Sequence, residues 1–471
     1  MAGTQRRHDA SADAITGRAR QVATASLIVK FGDTHMESAL KAVLDVIDAD
    51  KDHVVALTQE LVRIPSVNPK FQSEQGLNRE GDVQDRIEDE LRPLGFAMDR
   101  WDALEGRPNL AGDLPGTEEK SMILCGHVDV VPIGNASGWA REPFGGQLED
   151  GRVWGRGAVD MKGGVAACIS AARAIRKAGV ELEGRLSIHT VVDEEAGGFG
   201  AIDMVNRGKL ARNAIIAEPT WGDVIPAEGG LSWVRVTIFG KQAHAGWRFN
   251  SIWPQHDTPG RLEPGVNAIE LANRFLSSLR DFEASRCRNN NHPLLPAGLA
   301  TINPGTIMGG AGMGPDGNPA VMTNAAMISD VVTMVLDYKF MPQEDFEDVK
   351  RAFESFVHHF ASMDPWMREN PPRIEWNLWG LYFPPMNTPV DHPLTQSVFS
   401  RAAQIQKKKP CIKGFEAVCD AAHYAGKRVT PILYGPSGDG FHGNNECVDV
   451  ESLIETTKVI AASVIDMCGI K

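Results

Sequence analysis

The 471-residue chain is 42% hydrophobic and 23% charged, the composition of a globular protein long enough for two or three domains. A formal charge of -13 argues against nucleic acid or an anionic membrane surface as partner, since either calls for a basic face, and leaves a small-molecule substrate as the expectation. Seven scattered cysteines without a C-x-x-C form neither a disulfide framework nor a zinc ribbon, so a reducing cytoplasm is the expected compartment.

Residues 1–35 read as an Ala/Thr/Arg-rich N-terminal extension; Arg6, Arg7, Arg18 and Arg20 mixed with Asp9 and Asp13 fit neither a signal peptide nor a transmembrane helix. From Met36 to Ile64 apolar residues recur at helical spacing, which predicts two helices stopped by Pro65 and Pro69. A third helix is expected over Asp82 to Leu91, and a strand beginning at Asn109 to Ala111. Residues 121–132, SMILCGHVDVVP, then give an apolar run that predicts a strand buried on both faces and ending at His127 and Asp129. An Ala-rich helix is expected from Gly164 to Lys177, with Asp160 in the loop before it. Two more buried strands follow: RLSIHTVV ends in Asp193-Glu194-Glu195, and AIIAEP carries Glu218. In an open α/β sheet the carboxyl ends of such strands are where ligands bind.

After Pro226 the texture changes. LSWVRVTIFG, a helix from Val266 to Phe282, strands at ATINPGTIMGG and Ala326 to Met341, a helix from Asp345 to Phe360 and a strand at residues 373–376 make the β-α-β-β-α-β order of a split βαβ, ferredoxin-like unit. Helices after His392 and from Val450 to Met467 return the chain to the first domain, so the small domain is an insertion. The expected fold class is thus α/β, a mixed sheet flanked by helices, with an inserted α+β domain. The expected division is 36–225 with 388–471 for the first domain and 226–387 for the insertion.

His127, Asp129, Asp160, Glu194, Glu195, Glu218 and the late His442 of GPSGDGFHGNN are the polar groups at the strand ends. Carboxylates crowded together raise one another's pKa values unless positive charge lies among them, and one or two divalent cations supply it. Imidazoles with carboxylates suit zinc, with manganese or cobalt compatible, and a carboxylate bridging two ions is the usual two-metal arrangement. The rival reading of Glu194-Glu195 is a solvated acidic turn. His189, His423, His358 and His359 are expected to be structural or surface groups.

GHVDVVP, GRGAVDMKGG, DEE, AEPT and the C-terminal His, in that order over roughly residues 50–470, resemble the zinc aminoacylase and exopeptidase family of acetylornithine deacetylase, succinyl-diaminopimelate desuccinylase and carboxypeptidase G. The resemblance implies two metal ions, with His127 and Glu218 on one, Glu195 and His442 on the other, and Asp160 bridging. It makes Asp129 the partner that orients the His127 ring and Glu194 the general base beside a metal-activated water. It also implies that the inserted domain serves as lid and dimerisation domain, with a homodimer or higher homo-oligomer as the expected assembly. His244 of GKQAHAG would then reach into the partner's active site to donate to the developing oxyanion.

The sequence departs from the family at D-x-R-x-x-P, whose Arg clamps a substrate carboxylate. The matching residues are Asp337, Tyr338, Lys339 and Pro342, and lysine lacks the planar two-point grip. Lys339, Asn324 and Arg248 are the candidate substrate contacts. Trp247, Phe249 and Trp253 after His244, with Trp376, Trp379, Tyr382 and Phe383 near the exit of the insertion, are mostly core material by type, but the segment 246–265 can shape an aromatic pocket. The expected activity is metal-dependent hydrolysis of the amide C–N bond of an N-acyl amino acid or related small carboxylate. The alternatives are an aromatic aminohydrolase of nitroanthranilate type, which a known family member exemplifies, and a metal-containing binding protein that has lost catalysis.

Overall fold

The computed structural model describes residues 34–74, 76–249 and 264–471. Most of the extension at residues 1–35, and Trp253 with its neighbours at 250–263, lie outside them. Three runs read from the sequence, now Gly184–Val191, Thr117–His127 and Asn213–Ile216, form the centre of a nine-stranded sheet, and Thr430–Leu433, which the sequence reading did not mark, continues it, all four parallel. Branched and apolar side chains on both faces suit strands covered by helices above and below. Arg107–Leu114 and Ala97–Leu104 extend one edge in antiparallel fashion, and Val224–Glu228 with Met386–Asn387 closes the other. Ala97–Leu104 is a strand that the hydrophobic pattern does not announce: its side chains are exposed or half-buried along the whole length, so no apolar alternation marks it.

The register brings the polar strand ends level. His127 pairs with Val191, two residues before Asp193, and Cys125 pairs with Ile216, two residues before Glu218. Behind the sheet the Ala-rich helix Gly163–Lys177 packs against Val450–Cys468, Thr34–Ala49 and Lys51–Val62. Its small residues allow a close approach: a Cβ at Gly164 would stand 2.0 Å from the carbonyl oxygen of Ala217, immediately before Glu218.

A separate four-stranded sheet, ordered Gly438–Asp439, Cys447–Asp449, Arg152–Trp154, Gln147–Glu149, joins two stretches almost 300 residues apart in sequence. The loop carrying Asp160 follows one of its strands, and His442 lies between two others.

The inserted unit builds its own core. Gly230–Phe239, Ala268–Asn289, Ile302–Met313, Val331–Phe340, Phe346–Ser362 and Arg373–Glu375 follow the expected β-α-β-β-α-β order. The main strands are arranged Ile302–Met313, Val331–Phe340, Gly230–Phe239, Arg373–Glu375. Val234, Val236, Leu336, Phe275 and Phe353 fill the space between this sheet and its helices. Two crossings connect the unit to the main sheet. Gly229 alone separates Val224–Glu228 from Gly230–Phe239, and Pro384-Pro385 separates Tyr382–Phe383 from Met386–Asn387.

Candidate metal centre

His127 is fully buried at the end of its strand. Its Nδ1 lies 2.9 Å from the backbone carbonyl oxygen of Asp129, a contact that fixes the ring and turns Nε2 outward. Nε2 then stands 3.2 Å from Asp160 Oδ1, 3.9 Å from Glu218 Oε1 and 4.0 Å from Glu194 Oε2. The other Asp160 oxygen, Oδ2, is 3.2 Å from His442 Nε2, which is 3.0 Å from Glu195 Oε2. Asp160 therefore touches both imidazoles, one with each oxygen.

The Asp129 carboxylate does something other than meet the His127 ring, from which it is 3.8 Å away. It accepts hydrogen bonds from the backbone N–H groups of Glu194 and Glu195 at 3.1 and 3.3 Å, and from Asn68 at 2.7 Å. The ring is oriented by the Asp129 main chain, while the side chain holds the acidic turn. Asn68 also donates to Asp193, as do Lys70 at 2.5 Å and Arg107 at 2.6 Å, and Arg107 makes a two-point contact with Glu80. Arg107 thus neutralises two buried carboxylates. Arg107→Met is expected to lower folding stability by about 3–5 kcal/mol, the scale for stranding buried charge. Denaturant unfolding of the metal-free proteins checks it, and a loss under about 1 kcal/mol would show that the network tolerates the vacancy.

Four residues that sequence reasoning passed over surround the centre. Glu446 Oε1 accepts from the N–H groups of Val159 and Asp160, both at 3.1 Å, while its Oε2 accepts from Arg156 at 2.5 Å. Arg156 donates in turn to the Gly443 carbonyl at 2.9 Å, tying the Asp160 loop to the His442 loop. Lys162, fully buried, donates to the Leu61 and Ile64 carbonyls at 2.9 and 2.8 Å and holds the other side of the Asp160 loop. Asp420 is also buried, with neither carboxylate oxygen hydrogen-bonded, and burial pushes it up to about 7. The sequence signal for it was slight: one acid amid Val418, Cys419, Ala421 and Ala422.

The electrostatics call for a cation. Burial holds Glu194 and Glu218 well above the usual carboxylate range, and their like-charged neighbours, including Asp420 and Glu195, push the same way against the pull of His127. His442 is pushed up to about 10 by its contacts with Asp160 and Glu195. Burial opposes the charge on His127, yet the surrounding carboxylates outweigh it and hold the ring well above its ordinary value. Ligand atoms of His127, Asp160 and Glu195 lie within 4.8 Å of one another, and Glu218 Oε1 is buried without a hydrogen-bond partner. Imidazole nitrogen and carboxylate oxygen in this proportion fit divalent metal ions of the zinc class.

Glu194, Glu195 and His442 open onto a cavity of about 870 Å³ whose far wall belongs to the inserted unit. Phe71, Phe199, Trp233, Trp379 and Phe383 line it, with Asp337 and Lys70. The other sequence candidates stand elsewhere. Lys339 Nζ donates to the Glu416 carbonyl at 3.0 Å and borders a different, small cleft, so its charge is spent on a main-chain oxygen. Arg248 is paired with Glu270, and the Asn324 side chain accepts from Ala326 N–H at 3.0 Å. His244 is exposed; its Nδ1 accepts from Gly246 N–H at 3.0 Å, and its strand pairs with Met327–Ile328, three residues beyond Asn324. None of these four lines the 870 Å³ cavity. His189 is buried 2.9 Å from the Tyr424 hydroxyl, His423 packs on Phe383, and His358 and His359 lie exposed on a helix.

No helix among the described residues is long and apolar enough to cross a membrane. The model of peptidase family M20/M25/M40 matches residues 123–466. The N-formyl-4-amino-5-aminomethyl-2-methylpyrimidine deformylase of Bacillus subtilis (strain 168) is 30% identical over 449 residues, covering 93% of this chain and 99% of that protein. The enzyme of the same name from Halalkalibacterium halodurans is 28% identical over 445 residues, 92% of this chain and 99% of its own. Among solved structures, aminopeptidase PepT from Bacillus cereus superposes with a TM-score of 0.66 at 20% identity over 88% of this chain and 98% of that one. The Bacillus subtilis YXEP protein, a dinuclear metal-binding peptidase, does so with a TM-score of 0.60 at 15% identity over 89% and 99%. With the strand-end acids, the late histidine and the inserted unit all in this order, the chain belongs to peptidase family M20/M25/M40, hydrolytic enzymes that act on C–N bonds.

Proposed function

We propose that this enzyme hydrolyses the amide of a small N-acylated amine carrying an aromatic ring, with a formylated aminomethylpyrimidine as its first candidate substrate. The observation that carries the reading is the cavity itself: five aromatic side chains line it together with Glu194, Glu195 and His442, which belong to one cluster with His127, Asp160 and Glu218. Two curated relatives covering nearly the whole chain are named for a reaction of that kind.

His127 and Glu218 would hold one divalent ion, Glu195 and His442 the other, with Asp160 between them; zinc suits this donor set best. When bound, such a pair polarises a carbonyl and lowers the pKa of water. Glu194 takes a proton from the attacking water and passes it to the leaving nitrogen, so that water and amide become a carboxylic acid and an amine. Asp129, through the backbone of residues 194 and 195, keeps that carboxylate in place. Aromatic walls fix the ring and exclude water from the scissile bond.

An N-acyl amino acid finds less support, because Lys339, the candidate for its carboxylate, ends on the Glu416 carbonyl. The deciding experiment gives zinc-loaded enzyme three substrates: N-formyl-4-amino-5-aminomethyl-2-methylpyrimidine, an N-acetyl amino-acid panel and aminobenzoates. Formate release from the first supports the proposal. Turnover confined to the amino-acid panel, or ammonia release from aminobenzoates alone, overturns it.

His244 belongs to the same proposal as a donor to the partner subunit's site in a homodimer formed through the inserted unit. His244→Ala is expected to lower kcat by about 10²–10³-fold, the scale for an oxyanion donor, with metal content and oligomeric state unchanged. Mixing it with a Glu194→Gln chain restores part of the activity if the donor crosses between subunits. Full turnover by the single variant removes the role.

A further inference from the structure

The face of the inserted sheet that looks into the cavity carries a cross-strand pair. Trp233 and Asp337 are direct partners in the register of Gly230–Phe239 against Val331–Phe340. Trp233 Nε1 donates to Asp337 Oδ2 at 3.1 Å, and Trp379 meets the Trp233 ring edge-on, with centroids 5.8 Å apart. Both tryptophans and Asp337 line the same cavity as Glu194.

The charge of this wall is the reverse of what a carboxylate-binding site needs. In the D-x-R-x-x-P pattern an arginine follows the acid by two residues, on the same face of the strand. Here Lys339 fills that position and donates to the Glu416 carbonyl, leaving Asp337, among the described residues, as the charged side chain that the inserted unit presents to the cavity. Lys70, the cation on the opposite side, is committed to Asp193 at 2.5 Å. The Asp337 carboxylate is half-buried and anchored on one oxygen by an indole, which aims it while leaving acceptor capacity on the other. A neutral or cationic N–H edge is the complement of such a group, and the tryptophans beside it supply faces for the ring bearing that edge.

We infer that Asp337 determines specificity: it accepts a hydrogen bond from an amino group on the substrate's ring and repels substrates that present a carboxylate there. This rests on the aromatic-amine reading of the substrate, and it names the group by which that substrate is chosen. Asp337 acts on binding and orientation, and takes no part in moving protons at the scissile bond.

The test compares two free amines as probes, 4-amino-5-aminomethyl-2-methylpyrimidine and 5-aminomethyl-2-methylpyrimidine, which lacks the ring amino group. Titration calorimetry on zinc-loaded enzyme is expected to show the first binding about tenfold or more tightly, the scale for a hydrogen bond to a charged group. In Asp337→Leu the preference is expected to fall within about threefold, with zinc content unchanged. In the formylated pair the loss should appear in KM more than in kcat. Equal binding of the two amines by the unsubstituted enzyme overturns the inference without recourse to any variant, and so does a preference that survives in Asp337→Leu. An Asp337-dependent preference in an enzyme that releases no formate upholds the inference while the deformylase reading fails.

Discussion

Glu194→Gln is expected to bind metal as fully as the unsubstituted enzyme and to turn over roughly 10²–10⁴-fold more slowly, the range for removal of a general base. Glutamine keeps the size and shape of the side chain and the two backbone hydrogen bonds to Asp129, so the acidic turn has no reason to move. What disappears is the capacity to take a proton at a carboxylate that lines the cavity 4.0 Å from His127. Elemental analysis and steady-state kinetics on the same preparation separate this from loss of metal. Near-normal kcat with full metal content would mean that another group moves the proton.

Asp160→Asn is expected to do the opposite, taking away metal and activity together. Among the described residues Asp160 is the one carboxylate within 3.2 Å of both His127 and His442, using one oxygen for each. An amide has a single carbonyl oxygen and cannot serve both sides. Metal content should fall by at least one ion per chain, and turnover by more than the 10–100-fold typical of losing an outer partner of a ligand. The zinc-dependent rise in melting temperature should shrink as well, since stabilisation by a bound ion scales with its affinity for the folded state. Two ions per chain in Asp160→Asn would remove Asp160 from between them.

The strand-end acids were legible because each follows a short run rich in branched and apolar residues, so the local pattern alone says both "buried strand" and "polar group at its mouth". His442 has no such lead; it lies in a Gly-rich loop with a positive φ of 51°, where no periodicity marks it, and the resemblance is what gave it a ligand role. Glu446, Arg156, Lys162 and Asp420 were not legible, because what makes them matter is a partner far away in the chain or, for Asp420, the lack of one inside a buried site. No local pattern encodes that. The β-α-β-β-α-β order of the insertion was readable from alternation and helical spacing, whereas the edge strand Ala97–Leu104 was not, since an exposed edge needs no apolar face. Lys339 shows the limit of transfer by position: it occupies the place of the family's arginine, but its amine has found a main-chain oxygen.

The two crossings between the sheets run side by side, for Phe383 pairs with Leu231 on one side of them and Met386 with Glu228 on the other. Of these two links the Pro384-Pro385 one has its φ angles locked, so Gly229 is the link with backbone freedom to turn. Trp233 and Asp337 are embedded in one continuous ladder, so any turn about that link would carry both together. Ring grip and charge selection would then engage in a single movement.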